Sequence, residues 1–243
     1  MELLENETLE DLQVGNLKLI QKKDGFRFGA DAVLLANFAK DTPSRCTLDL
    51  CSGSGIIPIL LSYKTQTPQI FGIEIQKEIY DTAVRSVEIN NLESKIMLTC
   101  GDLKDAVKIY GKRRFDVITC NPPYMPIGGA VTNPADTKLI ARHEVMCTLE
   151  DILAVSAQLL KQMGRLMLVH KPTRLADIIC LMRKYEIEPK RIRFVHKSTH
   201  SEPSLVLADG AYKGGKELRI APPLYLYNDD GSETDELKRI YER

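Results

Sequence analysis

The apolar positions of the chain fall into short runs separated by stretches with helical spacing. Five apolar, β-branched runs predict buried strands, at 47–50, 69–75, 95–100, 115–120 and 165–170. In the segment 77–91, Ile79, Ala83 and Val87 recur on one face of a helix. Strands that alternate with amphipathic helices are typical of a parallel sheet covered by helices on both faces. The pattern therefore predicts an α/β domain with a mostly parallel, doubly wound sheet.

The same pattern assigns the remaining elements. Helices are predicted at 32–40, 56–63, 77–91, 103–110, 150–163 and 173–185. Further strands are predicted in a hairpin around 14–17, in an antiparallel pair at 191–195 and 205–208 that completes seven sheet strands, and at 223–227. With 243 residues, 44% of them hydrophobic, the chain is expected to form one domain, 1–243, with an N-terminal extension, 1–25, and an acidic tail, 229–243.

The strand at 115–120 ends abruptly in Asn121-Pro122-Pro123-Tyr124. Two prolines cannot donate to a sheet ladder and have a fixed φ, so they predict a stiff turn in which Asn121 is held extended. The carbonyl groups of Asn121 and Pro122 are hydrogen-bond acceptors, and Tyr124 offers a flat apolar face. These groups suit a planar substrate that bears an NH₂ group, and the alternative is a turn that only ends the strand.

A glycine-rich turn follows the strand at 47–50 and has the sequence Cys51-Ser52-Gly53-Ser54-Gly55. Glycines permit positive φ and let a ligand lie directly on the backbone, and the helix after the turn presents unpaired N–H groups. A dinucleotide-binding fingerprint would have a third glycine where this chain has Pro58. The turn therefore predicts a bound cofactor and argues against a nicotinamide dinucleotide.

Polar side chains stand at the ends of four predicted strands, namely Asp49, Glu74, Asp102 and Asn121. Because the carboxyl ends of parallel strands share one edge of a sheet, we expect these four residues to converge. An acid at the place of Glu74 hydrogen-bonds ribose hydroxyls in doubly wound folds. For Glu74, Asp102 and Asp31, the alternative role is to cap the helix that follows each of them.

The formal net charge is zero, with 33 basic and 33 acidic residues, which argues against general affinity for nucleic acid. Between Lys161 and Arg219, however, thirteen Lys and Arg residues stand against six Asp and Glu residues. This excess predicts a phosphate-contacting surface in the C-terminal half, with an ordinary solvated face as the alternative. The loop at 125–138 is rich in Gly, Pro and polar residues and is long enough to cover a substrate.

Other features exclude several classes of protein. No run approaches the roughly 18 apolar residues of a membrane span, and the acidic N-terminus is unlike a signal peptide. The six cysteines form no C-x-x-C pair, so neither a zinc ribbon nor a disulfide framework is predicted, and most are expected to be small core residues. We expect a cytoplasmic protein that binds no metal and no membrane.

The turn from Asn121 to Tyr124 resembles the signature of class I S-adenosylmethionine (SAM) methyltransferases that act on an amino group conjugated to a π system. The turn around Gly53 closely resembles their first SAM motif, and Phe28-Gly29-Ala30-Asp31 is similar to their upstream segment. The resemblance implies a single-domain, Rossmann-like fold with a seven-stranded, mostly parallel sheet and a C-terminal antiparallel hairpin. It implies a SAM site formed by Phe28, Asp31, Asp49, Cys51, Ser52, Gly53, Gly55, Glu74, Ile75, Asp102, Leu103 and Asn121.

The resemblance also implies catalytic roles for Asn121, Pro122 and Tyr124. A flipped adenine would stack on Tyr124 and donate its N6–H groups to the Asn121 side chain and the Pro122 carbonyl. No general base is needed before transfer, because the methylated amine is strongly acidic and loses its proton afterwards. Catalysis would therefore be mainly positioning.

Arg142-His143-Glu144 after the loop, and the stretch 213–216 before an apolar strand, resemble the transfer-RNA (adenine-N6) methyltransferases that act at adenine 37 of a valine tRNA. This branch implies a tRNA substrate, with Pro123, Arg142, Lys213 and Lys216 as substrate-binding residues. One alternative is the N5-glutamine methyltransferase of release factors, which shares the signature but usually carries an N-terminal helical domain. Others are a DNA adenine methyltransferase, for which no target-recognition domain is visible, and a non-catalytic SAM- or RNA-binding scaffold, which has no need of the turn.

Overall fold

The computed structural model describes residues 3–23, 29–123 and 147–243. Its strands are β1 (Glu7–Asp11), β2 (Lys18–Lys22), β3 (Cys46–Leu50), β4 (Gln69–Glu74), β5 (Ile96–Cys100), β6 (Phe115–Cys120), β7 (Leu160–His170), β8 (Ile187–His196), β9 (Pro203–Tyr212), β10 (Arg219–Ile220) and β11 (Leu224–Tyr225). Its helices are α1 (Ala30–Ala39), α2 (Ile56–Lys64), α3 (Lys77–Ile89), α4 (Ala106–Tyr110), α5 (Leu149–Leu159), α6 (Leu175–Lys184) and α7 (Asp235–Tyr241). Short 3₁₀ turns precede α4 and α6.

The main sheet has the order β10-β8-β9-β7-β6-β3-β4-β5, and β11 also pairs with β8. Strands β3 to β7 are mutually parallel, whereas β9 is antiparallel to both β7 and β8. The chain moves from β3 to β4 and β5 in one direction and returns to β6 on the other side of β3. The order of the strands therefore reverses between β3 and β6, and ligands of open α/β sheets bind in the crevice at such a switch point.

Two apolar cores cover the two faces of the sheet. On one face, α4, α5 and α6 pack against side chains such as Leu50, Ile118 and Leu168. On the other face, α1, α2 and α7 pack against Met167 and Val169. Successive residues of β7 thus enter opposite cores, as expected for a strand buried on both sides. The prediction of an α/β domain whose seven-stranded, mostly parallel sheet ends in an antiparallel hairpin is confirmed by strands β3 to β9.

The N-terminal hairpin of β1 and β2 forms a separate two-stranded sheet, as predicted from the sequence. It lies against α3: the backbone N–H of Ile20 donates to the Ser86 hydroxyl at 3.0 Å, and Arg85 forms an ion pair with the buried carboxylate of Glu7. The C-terminal segment also packs on the domain, because Leu237 and Ile240 of α7 are buried. Both ends of the described chain are thus part of one folded unit.

The helix predicted at 150–163 is shorter than expected. α5 ends at Leu159, and Leu160 pairs with Phe115 as the first residue of β7. The β6–β7 ladder then shifts in register before it resumes between Val117 and Arg165. Pairing with β6 thus interrupts the helical spacing of apolar residues that the prediction used. The strand predicted at 223–227 consists of the two residues of β11.

Candidate active site

The carboxyl ends of the parallel strands bring the predicted polar residues to one edge of the sheet. Leu50 of β3 pairs with Cys120 of β6, and Glu74 of β4 pairs with Cys100 of β5. The glycine-rich turn, the Asp102 turn and the Asn121 turn therefore leave the sheet side by side. We call this side the carboxyl edge. As expected, the sheet topology brings four polar residues to this edge, namely Asp49, Glu74, Asp102 and Asn121.

The glycine-rich turn depends on left-handed backbone conformations. Cys51, Gly53 and Gly55 have φ of 56°, 55° and 80°. A Cβ at Gly53 would meet no atom within 4 Å, so the backbone there faces open space. Gly55 forms the N-cap of α2, whose first N–H groups point toward the turn. The turn is thus shaped so that a ligand can lie on its backbone.

Glu74 holds the glycine-rich turn in place. Its Oε2 accepts a 2.9 Å hydrogen bond from the backbone N–H of Gly53, and its Oε1 accepts one of 2.9 Å from the N–H of Gln76. The residue is buried, with 7% of its surface exposed. Oε1 also accepts a 3.3 Å hydrogen bond from Nε2 of Gln76, whereas Oε2 has a second lone pair that can accept a hydrogen bond from a ligand.

Asp49 is a buried carboxyl directly beneath the same turn. Its Oδ1 accepts a 2.6 Å hydrogen bond from the Thr119 hydroxyl, whereas its Oδ2 has no hydrogen-bond partner among the described residues. Burial raises the pKa of Asp49 to about 7, and the hydroxyls of Thr119 and Ser52 oppose this shift only in part. The buried Ser52 hydroxyl interacts with Asp49, but it forms no hydrogen bond of ordinary geometry in the described structure. Two polar atoms at this turn are therefore less well satisfied than buried groups normally are.

Asp102 caps the short 3₁₀ turn at Leu103–Asp105, because its side chain accepts a 2.9 Å hydrogen bond from the N–H of Lys104. Asp102 therefore has the capping role that was its alternative to cofactor binding. Asp102 is half-buried and Leu103 is buried, next to the end of β5. Ile75, which follows Glu74, is half-buried.

Asn121 and Pro122 follow β6 at the switch point. Asn121 and Pro123 are half-buried, and Pro122 is buried. The register of β3 and β6 sets this turn beside the glycine-rich turn. Three predicted site residues, Phe28, Tyr124 and Arg142, and the loop at 125–138 lie outside the described residues.

Comparison with known proteins gives the family. The family model described as "Methyltransferase small domain" matches residues 23–184, about two thirds of the chain. The chain belongs to this methyltransferase family. A tRNA1(Val) (adenine(37)-N6)-methyltransferase from Porphyromonas gingivalis is 29% identical over 189 residues, covering 75% of this chain and 73% of that protein. One of the same name from Aeromonas salmonicida is 29% identical over 221 residues, covering 82% and 90%.

Solved structures support the fold of a methyltransferase. A predicted O-methyltransferase from Agrobacterium tumefaciens superposes with a TM-score of 0.71 at 18% identity, over 87% of this chain and 95% of that one. TYW2 from Pyrococcus horikoshii in complex with MeSAdo gives a TM-score of 0.61 at 12% identity, over 88% and 74%. At these identities the likeness concerns the fold alone.

The residues of this methyltransferase fit the methyl donor of the class I family, SAM. The open space beside Gly53 can receive a ligand, and the buried Oδ2 of Asp49 and hydroxyl of Ser52 lack partners that a polar ligand could supply. SAM carries a cationic sulfonium, and an anionic carboxylate at Asp49 complements that charge. Oε2 of Glu74 has a lone pair for a hydroxyl group.

Asp31 lies in the first turn of α1, where its Oδ1 accepts a 2.9 Å hydrogen bond from the N–H of Ala32. The helix α1 packs with α2 in the same apolar core.

Three cysteines meet beneath the two turns. The thiol of Cys51 interacts with those of Cys120 and Cys147. Cys120 raises the pKa of Cys51, Cys51 raises that of Cys147, and burial raises the pKa of all three, so the thiols are neutral. Cys46 and Cys120 lie in the core, Cys51 and Cys147 are partly buried against it, and Cys100 and Cys180 are exposed, so the expectation that most cysteines are small core residues holds fully for two of them and in part for two more.

Two residues at the site were not found from the sequence. Thr119 faces Asp49 only because β3 and β6 pair in this register, and no local signal predicts that pairing. His170 ends β7, two residues after the partner of Cys120, and is buried. Burial lowers the pKa of His170 to about 4, and its Nδ1 accepts a 2.8 Å hydrogen bond from the N–H of Lys171. The neutral ring therefore carries its proton on Nε2.

Lys213 and Lys216 do not join the other predicted site residues. β9 runs antiparallel to β7, so its first residue, Pro203, lies near the carboxyl edge and its last, Tyr212, lies at the opposite edge. The loops 197–202 and 213–216 lie at opposite ends of the sheet, because the ten-residue strand β9 separates them. The loop 213–216 is thus far from Asn121.

Within the described ranges, no group of three or more His, Cys, Asp or Glu side chains could hold a metal ion. No helix in those ranges is long and apolar enough to cross a membrane.

Proposed function

We propose that this protein transfers a methyl group from SAM to N6 of adenine 37 in tRNA1(Val). The observation that carries the proposal is the pairing of Leu50 with Cys120, because it sets an Asn-Pro-Pro turn beside the cofactor turn. The relatives from P. gingivalis and A. salmonicida carry this activity in their names, and the chain covers 73% and 90% of their lengths. A tRNA substrate would place the protein in the cytoplasm.

The glycine-rich side of the site would hold the donor. Asp49, Ser52, Gly53 and Glu74 supply a buried carboxyl, a hydroxyl, an open backbone and a second carboxylate. The proposed site also includes Phe28, Asp31, Cys51, Gly55, Ile75, Asp102 and Leu103. When bound, SAM supplies an electrophilic methyl group.

The Asn121 turn would hold the acceptor. The side-chain carbonyl of Asn121 and the backbone carbonyl of Pro122 can each accept one N–H of an adenine amino group. Two acceptors in fixed positions orient the amino group and direct its lone pair toward the donor side. Because Pro122 and Pro123 restrict the backbone, little conformational entropy is lost when the base binds.

The proposed reaction does not require a general base at this site. The aromatic amine is neutral and needs no base before it attacks, and the positively charged product loses a proton readily. His170, whose pKa is about 4, is neutral at physiological pH and carries no charge that would oppose a cationic product. The main contributions of the protein are positioning and the two hydrogen bonds. Tyr124 is proposed to stack on the base, and Pro123 and Arg142 to contact the RNA.

The proposal is tested by methyl transfer from radiolabelled SAM to tRNA that lacks the modification, with release factor and double-stranded DNA in parallel. Label recovered from tRNA as N6-methyladenosine is expected. Asn121→Ala should lower kcat by about 100-fold or more and leave SAM affinity within about twofold, because it removes an acceptor needed mainly in the transition state.

Asn6→Ala provides the matched control, since Asn6 is exposed and lies on the N-terminal hairpin. It should retain full activity. If the label appears in release factor instead of tRNA, the assigned substrate is wrong, but the Asn121 turn keeps its proposed role of holding the acceptor amino group. Unchanged turnover in Asn121→Ala would contradict the assignment of the acceptor site.

A further inference from the structure

Two loops carry basic side chains at the edge of the sheet opposite Asn121. The first is the turn at 111–114, Gly111-Lys112-Arg113-Arg114, which connects α4 to β6. The second is the loop at 213–216, which follows β9. Neither loop contains an acidic residue. We call the surface that they form together the basic edge.

Tyr212 joins the two loops, although 99 positions separate it from Arg113. Arg113 Nη2 donates a 2.6 Å hydrogen bond to the Tyr212 hydroxyl, and the guanidinium carbon lies 4.1 Å from the centre of the ring. The Nζ of Lys213 lies 5.6 Å from the same centre. These hydrogen-bond and cation–π contacts fix the two loops relative to each other.

Backbone hydrogen bonds anchor each loop to the domain. In the turn, the N–H of Arg114 donates to the carbonyl of Leu159 at 2.8 Å. In the loop, the N–H of Lys213 donates to the carbonyl of Glu186 at 2.7 Å. The basic edge is therefore a formed surface on the end of the sheet.

The lysines of this surface differ from most cations of the C-terminal half in their lack of ion pairs within the described structure. Arg165, Arg183 and Arg193 form ion pairs with Asp209, Glu188 and Glu236. Lys112, Lys213 and Lys216 form no ion pair with any residue that the structure describes. The exposed acids Glu186 and Glu217 adjoin six cations, namely Lys112, Arg113, Arg114, Lys190, Lys213 and Lys216. The basic edge therefore has a net positive charge that the fold leaves uncompensated.

The length of strand β6 gives the distance between the basic edge and the proposed methylation site. Asn121 is seven positions after Arg114, and a strand rises about 3.3 Å per residue, which gives about 23 Å. A single flipped nucleotide cannot span this distance. A polyanion that touches both ends of the sheet must therefore extend over several nucleotides.

We propose that the basic edge binds the sugar-phosphate backbone of the tRNA at a point distant from the adenine that is methylated. This inference rests on the proposed function. Lysine and arginine side chains that lack carboxylate partners neutralise phosphates and release counterions, which gives affinity without reading sequence. The enzyme would therefore favour whole tRNA over a short hairpin that contains the same adenine.

The test compares kcat/KM for full-length tRNA and for an isolated anticodon stem-loop. The wild-type protein should prefer the full-length tRNA by tenfold or more. In Lys112→Glu/Lys216→Glu, which changes one exposed lysine in each loop, this ratio should fall to near one. The slope of log(kcat/KM) for full-length tRNA against log salt should become shallower by about 0.9 for each phosphate that the variant no longer neutralises.

A variant with the same change of charge elsewhere controls for long-range attraction. Lys18→Glu/Lys238→Glu alters two exposed lysines on β2 and α7 and should keep the wild-type ratio. Equal ratios in the wild type and the Lys112/Lys216 variant, or a wild-type ratio of one, would overturn the inference. If the wild type methylates neither RNA, the proposed function fails instead, so the two failures are distinguishable.

Discussion

Thr119 donates a 2.6 Å hydrogen bond to Asp49, and these residues are direct partners in the register of β6 and β3. The bond links the strand that leads to Asn121 with the strand that leads to the glycine-rich turn. It satisfies one oxygen of a fully buried carboxyl, and the other oxygen has no hydrogen-bond partner in the described part of the chain. Asp49 thus couples the stability of the switch point to pH.

Asp49→Asn should stabilise the protein at neutral pH. The pKa of Asp49 is raised from its ordinary value of 3.8 to about 7, so the folded protein holds a proton that the unfolded chain has lost. The free energy of unfolding therefore falls between about pH 4 and pH 7, by up to about 4 kcal/mol. Asparagine does not titrate and keeps an acceptor for Thr119. The Tm of the variant relative to wild type should rise across this interval and level off above it; a constant difference would contradict the assignment.

SAM should bind more tightly as the pH rises from 6 to 8. Asp49 ionises in this interval, and a carboxylate near the sulfonium attracts it, whereas a neutral carboxyl does not. We expect a gain of about tenfold in affinity, which corresponds to one pKa unit of coupling. Calorimetric titration measures it, and in Asp49→Asn the profile should be flat. An equally steep profile in that variant would assign the titration to another group.

Gly53→Ala should reduce SAM affinity by about tenfold or more. The added methyl group would enter the open space beside the turn, where the donor is proposed to lie. Gly231→Ala is the matched control, because Gly231 also has positive φ and a Cβ there meets no atom within 4 Å. Both changes should cost similar backbone strain, about 1 kcal/mol. Equal SAM affinities of the two variants would argue against a cofactor at Gly53.

The six cysteines should react in two groups with a thiol reagent at pH 8. Cys100 and Cys180 are exposed and should react first. The other four, Cys46, Cys51, Cys120 and Cys147, should react slowly, because their pKa is raised and thiolates are the reactive form. Cys100→Ser/Cys180→Ser should abolish the fast phase. A fast phase that persists would show that one of these four thiols is accessible and reactive.

Asp209→Ala should destabilise the protein by about 3 kcal/mol and leave SAM affinity unchanged. The Asp209 carboxylate is almost fully buried and forms ion pairs with Arg165 and Arg191. Its removal leaves two partly buried guanidinium groups without their partner. Chemical denaturation measures the loss of stability. A parallel loss of SAM binding would imply that this pair also supports the carboxyl edge.

Much of the carboxyl edge could be predicted because its signals are local. A buried run that ends in Asn121-Pro122, and another that ends in a glycine-rich turn, identify strand ends without knowledge of the fold. The alternation of strands and helices then implies that those ends share an edge. The positions of Asp49, Glu74, Asp102 and Asn121 follow from these two steps.

The rest depends on pairings between distant parts of the chain. The contact of Thr119 with Asp49 needs the register of β6 on β3, and that of Arg113 with Tyr212 joins residues 99 positions apart. The position of Lys213 and Lys216, at the end of the sheet opposite Asn121, has the same origin. Composition marks the loop as basic, but the length of β9 determines the edge to which it belongs.

The hydrogen bond from Gly53 to Glu74 means that the glycine-rich turn is preorganised. Its conformation is set when the domain folds, so a cofactor does not have to order the turn when it arrives. The same carboxylate would both meet the sugar of the cofactor and maintain the geometry of the backbone beneath it. Selectivity among cofactor analogues with altered sugars would therefore be limited by the shape of the turn as well as by the groups that contact the sugar.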